Sequence, residues 1–131
     1  MGDRGRLLAA IFAGGMVGAA IRTGLVELAP TRVGSWPWTT FAVNVLGCLL
    51  LGYFVTRLQE RLPITAYQHP FLGTGLCGAL TTFATMQLEL LRMLDRGDLL
   101  LAAAYAAGSV LAGFVGIMLG TAVVRRARLT W

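Results

Sequence analysis

Apolar residues run in four long stretches, near Leu7–Leu28, Thr39–Thr56, Phe71–Leu94 and Leu99–Val124, with the charged residues gathered between them. Each stretch meets the roughly 20 residues that a helix needs to cross a hydrocarbon core. The pattern predicts an all-α membrane protein, a single domain over residues 1–131 with four transmembrane helices. The linkers read as Ala29–Trp38, with Pro30, Gly34 and Pro37, then Arg57–His69, with Pro63, and the short Asp95–Asp98. Trp36 and Trp38 fall where an aromatic belt meets the membrane surface, an anchoring role.

The third stretch departs from the others. From Gly73 to Glu89 it reads GTGLCGALTTFATMQLE, which predicts a third helix broken mid-membrane by Gly75, Gly78 and the pair Thr81–Thr82. Hydrocarbon cannot satisfy the backbone groups that such a break releases, so it persists only where protein or an ion covers it. Small residues at steps of four, Gly14 and Gly18 before Arg22 and then Gly108, Ala112, Gly116 and Gly120, predict close helix packing and a bundle completed by oligomerisation.

Composition agrees with a bilayer as solvent. Only 13% of residues are charged, 56% are hydrophobic and the mean hydropathy is +0.71, against roughly 25% charged in soluble domains. The first stretch follows Arg4 and Arg6 as an export signal would, yet its length and the further spans argue for retention. A bacterial-type inner membrane is the simplest compartment. All eleven basic residues are arginine, seven on the side of the termini and four on the other, which favours cytoplasmic termini. The net charge of +5 is spread over loops and tails, so it reads as topology and lipid-headgroup contact, with no nucleic-acid partner. Cys48 and Cys77 lie inside apolar stretches and read as buried thiols, while His69 reads as an interfacial loop residue.

Candidate chemistry is sparse and polar. Arg22, late in the first span, either snorkels to the interface or attracts anions at the mouth of a wet cavity. Asn44 shares a helical face with Thr40 and Gly47, and its amide either bridges helices or faces an anion. At the break, carbonyls suit a small cation, whereas freed N–H groups and the positive ring edge of Phe83 suit an anion. Glu89 reads as an ion relay or as a headgroup contact, and Tyr105 and Ser109 share a face with Gly113 that either lines a polar track or packs. No catalytic set, phosphate loop or paired carboxylate is present, so no enzyme is expected.

Three collinear pieces, GGMVGAAIRT at Gly14–Thr23, TFAVNVLGCLLLGY at Thr40–Tyr53 and GLCGALTTFATMQLE at Gly75–Glu89, resemble the Fluc (CrcB) family of small fluoride channels over essentially the whole chain. The resemblance implies an antiparallel, dual-topology homodimer with two fluoride pathways and a central structural sodium ion. It implies that backbone carbonyls of Gly78 and Thr81 from both chains hold the sodium. Asn44, Thr82 and Phe83 would line the fluoride route, Tyr105 and Ser109 would continue it, Arg22 would stand in the vestibule, and Glu89 would match a family glutamate near the pathway. The chain departs from the family pattern at Ala84, usually serine, at Met86, usually a second phenylalanine on the route, and at Gly113, often a further serine. The arginine bias leaves an oppositely oriented paralogue as an alternative to self-pairing.

Two other readings compete with a passive fluoride channel. A small multidrug-type proton-coupled exporter shares the four-span, dual-topology plan, but it relies on a glutamate deep in the first span, where this chain has Arg22 and reaches Glu27 only at the end. A non-transporting accessory subunit would share the packing stripes without requiring Asn44, the threonine pair and Phe83 together.

Overall fold

A computed structural model describes residues 2–61 and 67–127, all of whose regular structure is helical. Helix α1 spans Asp3–Leu28, α2 spans Trp38–Arg61 and α5 spans Leu99–Arg126. These three helices are long and apolar enough to cross a membrane. Between α2 and α5 lie a π-helical segment, Pro70–Cys77, a short α3, Gly78–Leu80, and α4, Phe83–Asp95. Pro63, in the expected second linker, and Arg128 lie outside the described residues.

The helices present leucine, valine and phenylalanine outward, as Leu8, Phe12, Val110, Leu111 and Phe114 all illustrate. Lipid is as apolar as these side chains, so burying them gains little, and helix contact must come from close packing. Glycine supplies that closeness. A Cβ at Gly14 or Gly18 would collide with the carbonyl oxygens of Phe71 or Leu76 in the π segment, and one at Gly52 or Gly120 with those of Ile117 or Leu49 between α2 and α5. Thr56 adds a hydroxyl bond to Thr121 across the second pair, 3.2 Å long. Gly120→Val is therefore expected to destabilise the α2–α5 pair by about 1–3 kcal/mol, read as a lower unfolding midpoint in detergent; an unchanged midpoint would contradict this packing.

Three expectations need correction. Gly75 and Gly78 do not interrupt the third segment: Gly75 lies inside the π-helix and Gly78 has helical φ/ψ of −64° and −35°. Glycine serves here for approach to a neighbour, since a Cβ at Gly75 would press on Ile11 O and Gly14 Cα of α1. Helical geometry stops instead at Thr81 and Thr82, whose ψ values are 147° and 99°. Trp36 is not a belt residue like the exposed Trp38; it is half-buried, with its ring edge-on to Tyr105 at 5.4 Å. His69 is likewise helical and half-buried rather than part of a surface loop, because its ring packs beside Gly73.

Candidate functional site

The face of α2 that carries Thr40, Asn44 and Gly47 lies along the extended pair and the helix that follows it. Asn44 Oδ1 accepts from the Thr82 N–H at 2.7 Å, and Asn44 Nδ2 donates to the Thr82 carbonyl at 3.4 Å. A Cβ at Gly47 would collide with Thr81 Cγ2, so glycine lets α2 lie against the threonine pair. The Thr82 hydroxyl caps α4, accepting from the Thr85 N–H at 3.1 Å and donating to the Thr85 hydroxyl at 2.8 Å. The break is thus held by side chains that replace the missing helical partners, as a buried backbone requires.

That replacement has a second effect. In an unbroken helix the Thr82 N–H would bond Gly78 O and the Thr85 N–H would bond Thr81 O. Asn44 takes the first donor and the Thr82 hydroxyl takes the second. The carbonyls of Gly78 and Thr81 are thereby released from the ladder, and Gly78 is exposed, with open space around its α-carbon. Hard carbonyl oxygens of this kind suit an alkali cation, so the residues fit the expected sodium.

One to two turns further on, Glu89 forms a second polar cluster. Thr40 donates to its Oε1 at 2.8 Å and Tyr105 donates to its Oε2 at 2.7 Å. Both donors are buried, Tyr105 completely. Hydrogen bonds to an ionised carboxylate are the stronger kind, and two of them hold Glu89 in a setting where a lone charge would be costly. Met86 and Met93 pack with Tyr105 and Ala102 beneath this cluster. The carboxylate also borders a cavity of about 80 Å³ lined by Arg32, Ser35, Arg92 and Arg96.

Of the expected site residues, the structure joins Asn44 with Thr82, and Glu89 with Tyr105. Met86 is buried beside Tyr105, and the Ser109 hydroxyl lies close to that of Tyr105 but outside hydrogen-bond geometry. Phe83 stands apart, 72% exposed at the start of α4. Arg22 is half-buried on α1, which packs on the π segment, α3 and α2 but not on α4 or α5. Sequence reasoning placed Thr40 on the right face without assigning it a partner, and it missed the arginines of the cavity. Their spacing gave a signal, since Arg92 and Arg96 lie one helical turn apart after Glu89.

The family model described as CrcB-like protein, Camphor Resistance (CrcB), matches residues 9–121. The chain belongs to the CrcB family. A relative from Mycobacterium bovis, named fluoride-specific ion channel FluC 1, is 53% identical over 95% of this chain and 94% of its own length. One from Nocardia farcinica, fluoride-specific ion channel FluC 2, is 41% identical over 91% and 85%. One from Chloroflexus aurantiacus, fluoride-specific ion channel FluC, is 38% identical over 88% and 93%. Membership in this family and the three apolar helices make the chain a multi-pass membrane protein.

Proposed function

We propose that this chain is a fluoride channel of the cell inner membrane, letting cytoplasmic fluoride leave passively down its electrochemical gradient. The observation that carries the reading is the Asn44-clamped break at Thr81–Thr82, continuous through α4 with the Glu89–Thr40–Tyr105 cluster. Fluoride is small and strongly hydrated, so a route must offer N–H and O–H donors in place of water. The amide of Asn44 has one N–H beyond its bond to Thr82. The Ser109 hydroxyl, which has no partner, adds a donor beside Tyr105, while the hydroxyls of Thr40 and Tyr105 donate to Glu89 and would turn from it to meet the ion.

The reading includes an antiparallel, dual-topology homodimer with two pathways, the third crossing being the broken segment Pro70–Asp95. Support comes from the exposed face of that segment, where Thr74, Gly78, Phe83, Ala84 and Gln87 are all turned away from the chain's own core. A polar, interrupted face of this kind is poorly suited to lipid. A second copy laid across it would bring two Phe83 rings to the centre. It would also bring four released carbonyls, those of Gly78 and Thr81 from each chain, to hold a sodium ion that supplies fixed positive charge at the dimer centre. Glu27, which a proton-coupled exporter would need in a buried setting, is exposed at the end of α1.

Gly113 follows from packing. Its added Cβ would lie 3.3 Å from Cys48 Sγ, so a serine there would have to press the sulfur aside by a few tenths of an ångström.

The arginine-lined cavity acts as a collector at the mouth. Arg92→Gln with Arg96→Gln is expected to lower fluoride flux several-fold at 0.01 M ionic strength, where screening extends over about 30 Å, and hardly at all at 1 M, where it falls to about 3 Å. A loss independent of salt would point to a structural role. Expression in a bacterium stripped of its own fluoride exporters tests the function as a whole. Growth on fluoride should be restored; failure of a membrane-inserted, dimeric product to restore it would count against the channel.

A further inference from the structure

Among the described residues, three buried side-chain polar atoms lack a hydrogen-bond partner: Trp36 Nε1, His69 Nε2 and Ser109 Oγ. Two of them belong to residues beside Tyr105. Trp36 meets the Tyr105 ring edge-on, with centroids 5.4 Å apart and planes at 84°. Its six-membered ring lies over Gly108, with Cη2 and Cζ2 at 3.1 Å and 3.4 Å from where a Cβ would stand, and Gly108 immediately precedes Ser109. Cζ2 is on the same edge of the indole as the N–H, so that edge is turned to the turn of α5 carrying Ser109. The backbone on either side of Trp36 borders the mouth, since Ser35 and Pro37 line the cavity with Glu89, Arg92 and Arg96.

Buried indole N–H groups usually find an acceptor, because leaving one unpaired forfeits its hydration without compensation. Glu89 already accepts from Thr40 and Tyr105, one donor on each oxygen, and no bond joins Trp36 Nε1 to it or to the Ser109 hydroxyl. Two donors, the Trp36 N–H and the Ser109 O–H, are thus left unused on one side of Tyr105, as a site for a dehydrated anion requires.

We propose that the indole N–H of Trp36 is a further fluoride-binding donor, receiving the ion on the Ser109 side of the Glu89–Tyr105 pair. This rests on the channel reading and adds a residue to it. Indole can donate but not accept, so it binds an anion and offers nothing to a cation. The N–H is shut off from the surface, so it meets the ion only after water has been shed. Ser109, whose hydroxyl is free to rotate, supplies a second donor on the same side of Tyr105.

The test uses the purified dimer in liposomes, with the unaltered protein measured in parallel. Trp36→Phe keeps an aromatic ring against Tyr105 and removes the donor together with part of the indole's area; it is expected to lower fluoride efflux several-fold with an unchanged elution volume in detergent. A second measurement does not depend on that variant folding. With Trp38→Phe and Trp131→Phe, Trp36 becomes the sole tryptophan, and its emission should shift saturably with fluoride and not with chloride. Efflux at the parent rate in Trp36→Phe, a loss that accompanies dimer dissociation, or an emission indifferent to fluoride would each overturn the assignment. If the unaltered protein passes no fluoride, the channel reading falls as well; if it does and Trp36→Phe matches it, only the role of Trp36 is lost.

Discussion

Asn44→Asp is expected to cut fluoride flux by about two to three orders of magnitude while leaving the chain folded. Aspartate keeps the oxygen that accepts from the Thr82 N–H at 2.7 Å and gives up only the longer 3.4 Å donor bond. Interhelical hydrogen bonds in membrane proteins contribute about 0.6 kcal/mol on average, so the larger cost to folding is that of the buried carboxylate, about 2.5–3.5 kcal/mol on insertion scales. The electrostatic change is large. A unit negative charge about 4 Å from a passing anion raises its energy by about 4 kcal/mol at an effective dielectric constant near 20, and each 1.4 kcal/mol is a factor of ten. Efflux from liposomes measures it directly; full flux in Asn44→Asp would remove Asn44 from the route and leave it as a backbone clamp alone.

The second large effect belongs to Phe83, and here stability and conduction separate. Phe83 is 72% exposed within its own chain, so Phe83→Leu deletes no contact of the chain's core. What it removes is an aromatic edge facing the proposed partner and the ion. Aromatic edge contacts contribute about 0.5–1.5 kcal/mol beyond area burial. With two such rings per dimer, flux should fall about ten-fold or more, while the unfolding midpoint and the elution volume in detergent stay as they were. A drop in dimer yield matching the drop in flux would mean that Phe83 is an assembly residue rather than a lining one.

Much of the architecture was legible because bilayer and packing constraints write directly into sequence. The apolar stretches marked α1, α2 and α5 to within a few residues at most ends, since a span needs a fixed length of apolar chain. The face of α2 was legible too. Thr40, Asn44 and Gly47 share a helical stripe, and the structure sets them against Glu89, Thr82 and Thr81. Helical period alone predicts which residues share a face, though not what meets them.

The failures have a common origin in tertiary context. In sequence Gly75 and Gly78 look like helix breakers, yet glycine costs a helix only about 1 kcal/mol, and the approach to α1 at Gly75 outweighs that. The backbone departs from the helix at Thr81–Thr82, where Asn44 and the Thr82 hydroxyl offer competing partners that no local pattern displays. Trp36 looked like Trp38 in sequence, two positions away and flanking the same proline. The chain turns between them, so one ring covers Tyr105 and the other stays exposed. Arg32 and Arg96 look like isolated loop charges in sequence because the cavity that gathers them forms between distant segments.

Fluoride efflux from liposomes containing this protein alone, followed with a fluoride electrode and repeated with chloride, bears on the central claim most directly. Expressed singly and reconstituted as a dimer, the protein should release fluoride rapidly and retain chloride. A well-assembled dimer that releases neither, or both alike, would contradict a donor-lined route built on the Asn44-clamped break.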